Sequence, residues 1–422
     1  MKYIFLMLLG VFTAHCSPLY AEDTLSLPDT EVSIRAHDGT ELSFAQYPAQ
    51  GNDLVLWIGE YGWHDHAIQL AKDFAQKGIE VWQIDFAEAL MQTTSSNFFR
   101  NVDAEYIVDM IAAVHQRSGK RVTLFAQSYA AIPVLRGAEL WQQRKTHHGK
   151  LLGTVLFSPD LVTGLPALGK DPEYLDITRA TSMPIMIYQG GLHGSELQYS
   201  RLLKELGSHN PNVFSTVLPG VTSVFYHDES SPETLALLRA LPTKISDVFK
   251  LFSSLPVLAV STPYVQPKEI SDAKPDIKLG AFASDPVPHK IDLHDANGKR
   301  FKLDNYRGKV TVVNFWATWC PPCIEEIPSL NRLREKMQGE NFELISINYA
   351  DTPAKIREFL TKVHVQFPVL IDPNGKTAQQ WKVIGFPSTF VIGKDGKIHY
   401  GVNAAIEWDT PEVIETLKQL NR

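Results

Sequence analysis

Cysteine is scarce in this chain of 422 residues, which has only Cys16, Cys320 and Cys323. Three thiols cannot form the disulfide framework that holds many small exported domains together, so each domain needs its own apolar core. The chain lacks long basic runs and carries a formal net charge of −7, which argues against a nucleic-acid-binding surface. What remains is an ordinary globular composition, 44% hydrophobic and 21% charged, of a length that predicts two or three domains.

The N-terminus has the composition of an export signal. Lys2 provides a positive charge, residues 3–14 are almost wholly apolar, and Ala21 ends an acceptable cleavage site. We therefore predict a signal peptide over residues 1–21 and a periplasmic protein. An uncleaved membrane anchor is an alternative, and so is lipid modification of Cys16, although the bulky residue before it fits that signal poorly. No later run is apolar enough to cross a membrane.

Strand-like and helix-like runs alternate between residues 28 and 250. The run DLVLWIG at 53–59 predicts a buried strand, whereas 65–78 and 104–119 have the periodicity of amphipathic helices that end at glycine. This alternation predicts an α/β domain with a parallel sheet covered by helices on both faces.

A second α/β unit follows a segment of different composition. Residues 251–276 contain four prolines and predict an extended linker. Residues 277–422 then form the second domain. Its run KVTVVNFWA at 309–317 predicts a central strand, directly followed by the two cysteines.

The pair in CPPC predicts a redox centre. Cys320 is expected in the first turn of a helix, where unpaired N–H groups and the helix dipole favour the thiolate. We therefore predict that Cys320 is the exposed nucleophile and that Cys323 resolves the mixed disulfide. A zinc site would need further ligands that the sequence does not supply at suitable spacing, so we expect no metal and no other cofactor. A structural staple is disfavoured because so short a loop gains little from closure.

The motifs NFWATWCPPC, FPVLID at 367–372 and GFPSTF resemble the thioredoxin fold, and specifically the TlpA/ResA-type thiol–disulfide reductases. The resemblance covers about 140 residues. It implies that Pro387 forms a cis peptide bond facing the redox pair and helps to hold an extended substrate. It also implies disulfide-containing exported proteins as clients and a membrane thiol donor as the source of electrons, with the membrane contacted only through that partner.

One position departs from thioredoxin. Asn314 stands where thioredoxin has a buried acid, and Glu326 matches a glutamate that the TlpA/ResA-type proteins carry after the second cysteine. Burial would raise the pKa of that carboxyl, which makes Glu326 a candidate proton relay for Cys323. The alternative is a first-turn glutamate that merely favours the helix dipole. Because Pro322 rather than histidine precedes Cys323, we expect a reducing potential closer to that of thioredoxin than to that of a strong oxidant.

The N-terminal domain contains a second candidate site. In RVTLFAQSYAAIPVLRGAEL at 121–140, Ser128 lies at a strand–turn–helix junction with small residues at the flanking positions, as in a nucleophile elbow. The backbone N–H groups of Glu60 and Tyr129 are candidates for an oxyanion hole. These features resemble an α/β-hydrolase, with a faint similarity to VirJ-type exported proteins.

The partners of Ser128 are less defined by the sequence. Asp160, His193 and Glu196 are candidates for the acid position or its surroundings, and His227 is the candidate base after the last strand. Three hypotheses follow. The protein is an exported dithiol oxidoreductase, a serine hydrolase of esters or lipids with an accessory redox domain, or an oxidoreductase whose N-terminal domain binds clients without catalysis.

Overall fold

The computed structural model describes residues 30–422 except 61, 64, 145–150, 165, 167, 169, 192, 222–231, 257, 259–263, 268–277 and 304–305. The predicted signal peptide with Cys16, most of the predicted linker, and His227 lie outside the described residues. In the described part of the chain, every helix is too short or too polar to span a bilayer.

The N-terminal sheet has eight strands. They are β1 (Glu31–Arg35), β2 (Glu41–Tyr47), β3 (Asp53–Gly59), β4 (Ile79–Asp85), β5 (Arg121–Gln127), β6 (Leu151–Phe157), β7 (Ile185–Gly190) and β8 (Val213–Leu218). Their order is β1-β2-β4-β3-β5-β6-β7-β8. The strands β3 to β8 pair in parallel, as the alternating pattern predicts, whereas β2 pairs antiparallel with both β1 and β4.

Helices cover both faces of this sheet. They are α1 (Asp65–Gln76), α2 (Phe86–Ala89), α3 (Ser96–Asn101), α4 (Glu105–Ser118), α5 (Ala131–Gln143), α6 (Ile177–Ala180), α7 (Glu196–Gly207) and α8 (Pro232–Ser254). Successive residues of β3 point to opposite faces. Leu56 therefore packs in the core with α4, α5 and α7, while Val55 packs in the core with α1 and α8. The helix α8 reaches four residues into the segment predicted as a linker.

The C-terminal domain has a second eight-stranded sheet. Its strands are β9 (Gly280–Ala281), β10 (Ile291–Asp295), β11 (Arg300–Leu303), β12 (Val310–Trp316), β13 (Phe342–Tyr349), β14 (Val369–Asp372), β15 (Ser388–Ile392) and β16 (Ile398–Val402), in the order β11-β10-β14-β13-β12-β15-β16-β9. The central strand β12 is buried along its whole length, pairing in parallel with β13 and antiparallel with β15.

Four helices complete this domain: α9 (Pro321–Lys336), α10 (Pro353–Lys362), α11 (Lys376–Gln380) and α12 (Pro411–Leu420). Three of them begin with proline at the first helical turn, where its missing N–H is not needed. One side of the sheet forms a core with α9, α10 and α12, and the other forms a core around Phe315, Phe390 and Trp381.

Candidate functional site

The two cysteines lie at the N-terminal end of α9. Cys320 is the N-cap residue, Pro321 opens the helix, and Cys320 and Cys323 form a disulfide. The central strand β12 ends at Trp316, four residues earlier, so the sheet delivers the pair to its own carboxyl edge. The predicted exposure of Cys320 is wrong, since only 5% of the residue is accessible, against 1% of Cys323. Cys320 instead borders a cavity between the two domains.

A buried acid holds the turn before the cysteines in place. The backbone N–H of Thr318 donates to Asp351 Oδ2 at 2.9 Å, and Asn348 Nδ2 donates to the same oxygen at 2.9 Å. Asp351 follows β13, the parallel neighbour of β12. Asp351 was not predicted as a site residue, since only its position after a buried strand distinguishes it from other acidic residues in the sequence.

Glu326 lies three residues after Cys323 on α9 and is 2% exposed. Its Oε1 accepts a hydrogen bond from Asn314 Nδ2 at 2.8 Å, and its Oε2 accepts one from Trp408 Nε1 at 3.0 Å. Burial raises the pKa of this carboxyl to about 7, against the opposing effect of these hydrogen bonds. Because residues three apart on a helix share a face, the carboxyl lies on the side of α9 that carries Cys323.

The loop before β15 carries the predicted proline. The Phe386–Pro387 bond is cis, as the sequence predicts. The ring of Phe386 packs edge-on against Trp319, with centroids 5.8 Å apart, and also contacts Tyr349 at 4.8 Å. Aromatic side chains therefore connect the residue before Cys320 with the residue before Pro387.

Ser128 lies at the sharp turn between β5 and α5. Its φ is 43°, a left-handed backbone conformation that is uncommon for a residue with a side chain. Such strain concentrates at functional sites. The following Tyr129 and Ala130 complete a single 3₁₀ turn that leads into α5. Ser128 is thus presented at the carboxyl edge of the sheet, where the sequence places it.

The residues predicted around Ser128 come together only in part. Asp160 hydrogen-bonds to the Tyr129 hydroxyl, and burial raises the pKa of Asp160. The nearby Asp160 charge, followed by burial, raises the pKa of Tyr129. Arg100 lies over the Tyr129 ring with its Cζ 5.4 Å from the centroid. Glu60 is fully buried at the end of β3.

His193 contacts Ser195 rather than Ser128, the partner that a hydrolase would need. The backbone N–H of Ser195 donates to His193 Nδ1 at 3.2 Å, and the Ser195 hydroxyl lies 2.8 Å from the same nitrogen. Burial lowers the pKa of His193 to about 4, so its imidazole is neutral at physiological pH. Glu196 opens α7. Within the described residues, these side chains form no Ser–His–acid chain with Ser128, and the predicted base His227 lies outside them.

One cavity of about 410 Å³ joins the two candidate sites. The N-terminal domain contributes the turn at Ser128 and the loops after β6 and β7. The C-terminal domain contributes the turn at Cys320 and the loop before Pro387. Its walls include Ser128, Asp160, His193, Cys320 and Phe386. The meeting of the two sites was not predicted, because no local pattern indicates that residues of different domains will meet.

Comparison with known proteins places the C-terminal domain in a family. Residues 283–401 match the AhpC/TSA family. Thiol-disulfide oxidoreductase ResA of Bacillus thuringiensis subsp. konkukian is 36% identical over 104 residues, 25% of this chain and 60% of that protein. ResA of Geobacillus thermodenitrificans is 30% identical over 146 residues, 34% of this chain and 81% of that protein.

The solved structure of a thiol:disulfide interchange protein of the thioredoxin family from Chlorobium tepidum is 23% identical. It covers 32% of this chain and 99% of that one, with a TM-score of 0.28. The chain spans about 60% of the length of the ResA protein of Bacillus thuringiensis. The family match and the ResA relatives make the C-terminal domain an AhpC/TSA, thioredoxin-like domain with ResA-type thiol-disulfide oxidoreductases as homologues.

Proposed function

Because this chain belongs, through its C-terminal domain, to the thiol-disulfide oxidoreductases that include ResA, we propose that it exchanges disulfides with exported proteins through Cys320 and Cys323. The observation that carries the proposal is the disulfide at the N-terminus of α9. In the reduced protein, the Cys320 thiolate attacks a client disulfide at the helix terminus, where the dipole stabilises negative charge. Cys323 then attacks the mixed disulfide and releases the reduced client.

Glu326 and Pro387 have supporting roles in this proposal. The buried carboxyl of Glu326 accepts the Cys323 proton as that thiol becomes a nucleophile, and a pKa near 7 suits a proton relay at physiological pH. The backbone around Pro387 binds the extended client segment. No metal or other cofactor enters the exchange. The leader-like N-terminus supports export to the periplasm, where a membrane thiol donor would return the pair to the dithiol state.

Trapping of the mixed disulfide tests this proposal. The variant Cys323→Ser should hold a client protein through Cys320 as an adduct that is sensitive to reductant. The matched control Cys320→Ser keeps Cys323, the less accessible thiol of the pair at 1% against 5%, and should trap far less. Equal trapping by both variants, or by neither, would contradict the assigned order of attack. A reduction potential of about −270 mV for the pair, measured by equilibration with glutathione, would support a reductase, whereas about −120 mV would indicate an oxidant.

Two features support an α/β-hydrolase-like N-terminal domain as a second function. Its sheet is mainly parallel, and Ser128 has a strained φ of 43° at the turn between a central strand and a helix. A fluorophosphonate probe should label wild-type protein and lose that label in Ser128→Ala, with Ser195→Ala as the control from the same cavity. Folded protein that is not labelled at Ser128 would instead favour a domain that binds without hydrolysis.

A further inference from the structure

The redox disulfide faces the N-terminal domain, and the cavity between them is an appropriate size for a small molecule. Its volume of about 410 Å³ lies within the range of small-ligand sites. Cys320 and the strained Ser128 both belong to its wall. We propose that the dithiol also reduces small uncharged disulfides that enter this cavity, while protein clients must wait for the domains to separate. This inference rests on the proposed oxidoreductase function and adds a substrate class to it.

The N-terminal domain covers the position where a protein client would bind. Gln198 Nε2 donates to the backbone oxygen of Ile384 at 2.6 Å, in the loop that leads to Pro387. A Cβ atom on Gly194 would lie 3.5 Å from the Phe386 ring and 4.0 Å from Trp319. The N-terminal domain is therefore already in contact with the loop and the aromatic side chains beside the redox pair. An extended polypeptide cannot occupy the same space.

This covering is part of a packed interface. Leu168 is 4% exposed and belongs to the hydrophobic core of the C-terminal domain, against which Leu197 also packs. Asn403 Nδ2 lies 3.5 Å from the backbone oxygen of Pro166. These contacts join the two domains outside the cavity, with only Pro166 in its wall, and hold the two walls in a defined arrangement.

The side chains in the wall select an uncharged ligand with an apolar body. Tyr129, Tyr174, Trp319 and Phe386 provide aromatic surface, and apolar side chains from both domains extend it. His193 is neutral because burial lowers its pKa, and the described lining residues include no lysine or arginine, so an anionic ligand would leave water without an opposite charge in the wall to receive it. Burial also raises the pKa of Asp160, which disfavours the carboxylate that a cationic ligand would need.

The reaction uses only the dithiol and the small disulfide. The Cys320 thiolate attacks one sulfur of the ligand, so that a new S–S bond forms and the other half of the ligand leaves as a thiol. Cys323 then attacks Cys320 Sγ, closes the protein disulfide and releases the second thiol. The protein loses two electrons and two protons, and the ligand disulfide gains both.

A size series on the wild-type protein tests the inference without any variant. Reduced full-length protein is mixed with bis(2-hydroxyethyl) disulfide, or with the same disulfide carrying a poly(ethylene glycol) chain at each end. The rate at which each disulfide oxidises the protein dithiol is divided by the rate at which it oxidises free dithiothreitol, which corrects for its intrinsic reactivity. We expect the polymer-linked form to react about tenfold more slowly or worse, because its chains cannot enter the cavity.

A matched pair of glycine variants identifies the cavity as the site. Gly194→Leu should fill the space beside Phe386 and Trp319, and lower the rate with the small disulfide by about tenfold. Gly207→Leu, at the far end of the helix α7 that begins two residues after Gly194, has nothing within 4 Å of an added Cβ and should leave the rate within about twofold.

The outcomes separate the two proposals. Two results would overturn the cavity as the site of small-disulfide reduction and leave the oxidoreductase function intact. One is equal normalised rates for the small and polymer-linked disulfides, and the other is a Gly194→Leu variant that folds and reacts like wild type. A dithiol that neither disulfide oxidises would overturn both.

Discussion

Replacing Glu326 by glutamine should remove a pH-dependent free energy from the C-terminal domain. Burial raises the pKa of Glu326 from 4.5 to about 7 in the folded protein. Between these values the folded state keeps a proton that the unfolded state releases, so the free energy of unfolding falls as the pH rises. The contribution is complete below pH 4.5 and lost above about 7. At about 1.36 kcal/mol per pKa unit, the loss is about 3 kcal/mol.

The glutamine variant has no such titration, although its amide cannot accept hydrogen bonds from both Asn314 and Trp408. That mismatch costs about 1–3 kcal/mol but does not change with pH. The informative quantity is therefore how the difference in free energy of unfolding between variant and wild type changes with pH. Glu325→Gln provides the matched control, because it makes the same change at an exposed neighbour on the same helix.

Hydrogen exchange of the oxidised full-length protein measures this quantity for one domain. Peptides from β12 and α9 report the free energy of local opening, after correction for the intrinsic pH dependence of exchange. The disulfide removes any contribution from thiol titration. If the free energy of local opening has the same pH dependence in wild type and Glu326→Gln, the raised pKa of the buried carboxyl is refuted. In the reduced protein, a pH profile of thiol reactivity that is unchanged by Glu326→Gln would refute the relay role as well.

Two further predictions concern backbone positions. Ser128→Gly should be more stable than Ser128→Ala by about 1 kcal/mol in thermal unfolding, because glycine adopts a φ of 43° without the steric cost that alanine retains; a less stable glycine variant would contradict the strain. Gly137→Ala should destabilise the protein by about 1–3 kcal/mol, since its Cβ would lie 2.4 Å from that of Ile107, whereas Gly207→Ala, with open space around it, should be neutral or stabilising. Equal effects of the two alanines would show that α4 and α5 are not in close contact.

Local patterns predicted individual elements well. The strand at 53–59 has the predicted bounds and the helix predicted at 104–119 is α4 (Glu105–Ser118), because a buried run and an amphipathic period are properties of short segments. The helix α8 instead continues through Pro242 to Ser254, into the segment that was predicted as a linker. Proline disfavours a helix locally, but the apolar face of α8, including Leu241 and Phe249, packs on the sheet and outweighs that cost.

The antiparallel strands β1 and β2 were not predicted. Their burial alternates incompletely at the edge of the sheet, and an edge strand needs fewer apolar residues than a central one. Their pairing also depends on β4, which lies more than thirty residues further along the chain than β2.

The sequence alone predicted a redox pair. Two cysteines at the start of a helix, directly after a buried strand, predict a nucleophile and a resolving thiol, because helix capping and strand burial act over a few residues. The motifs around them resemble the TlpA/ResA-type family. Only the tertiary structure decided what surrounds them. Trp408 reaches Glu326 from 82 residues away, and Cys320 meets the wall of the Ser128 cavity across a domain interface. Contacts of that range depend on how whole domains pack, which no short segment specifies.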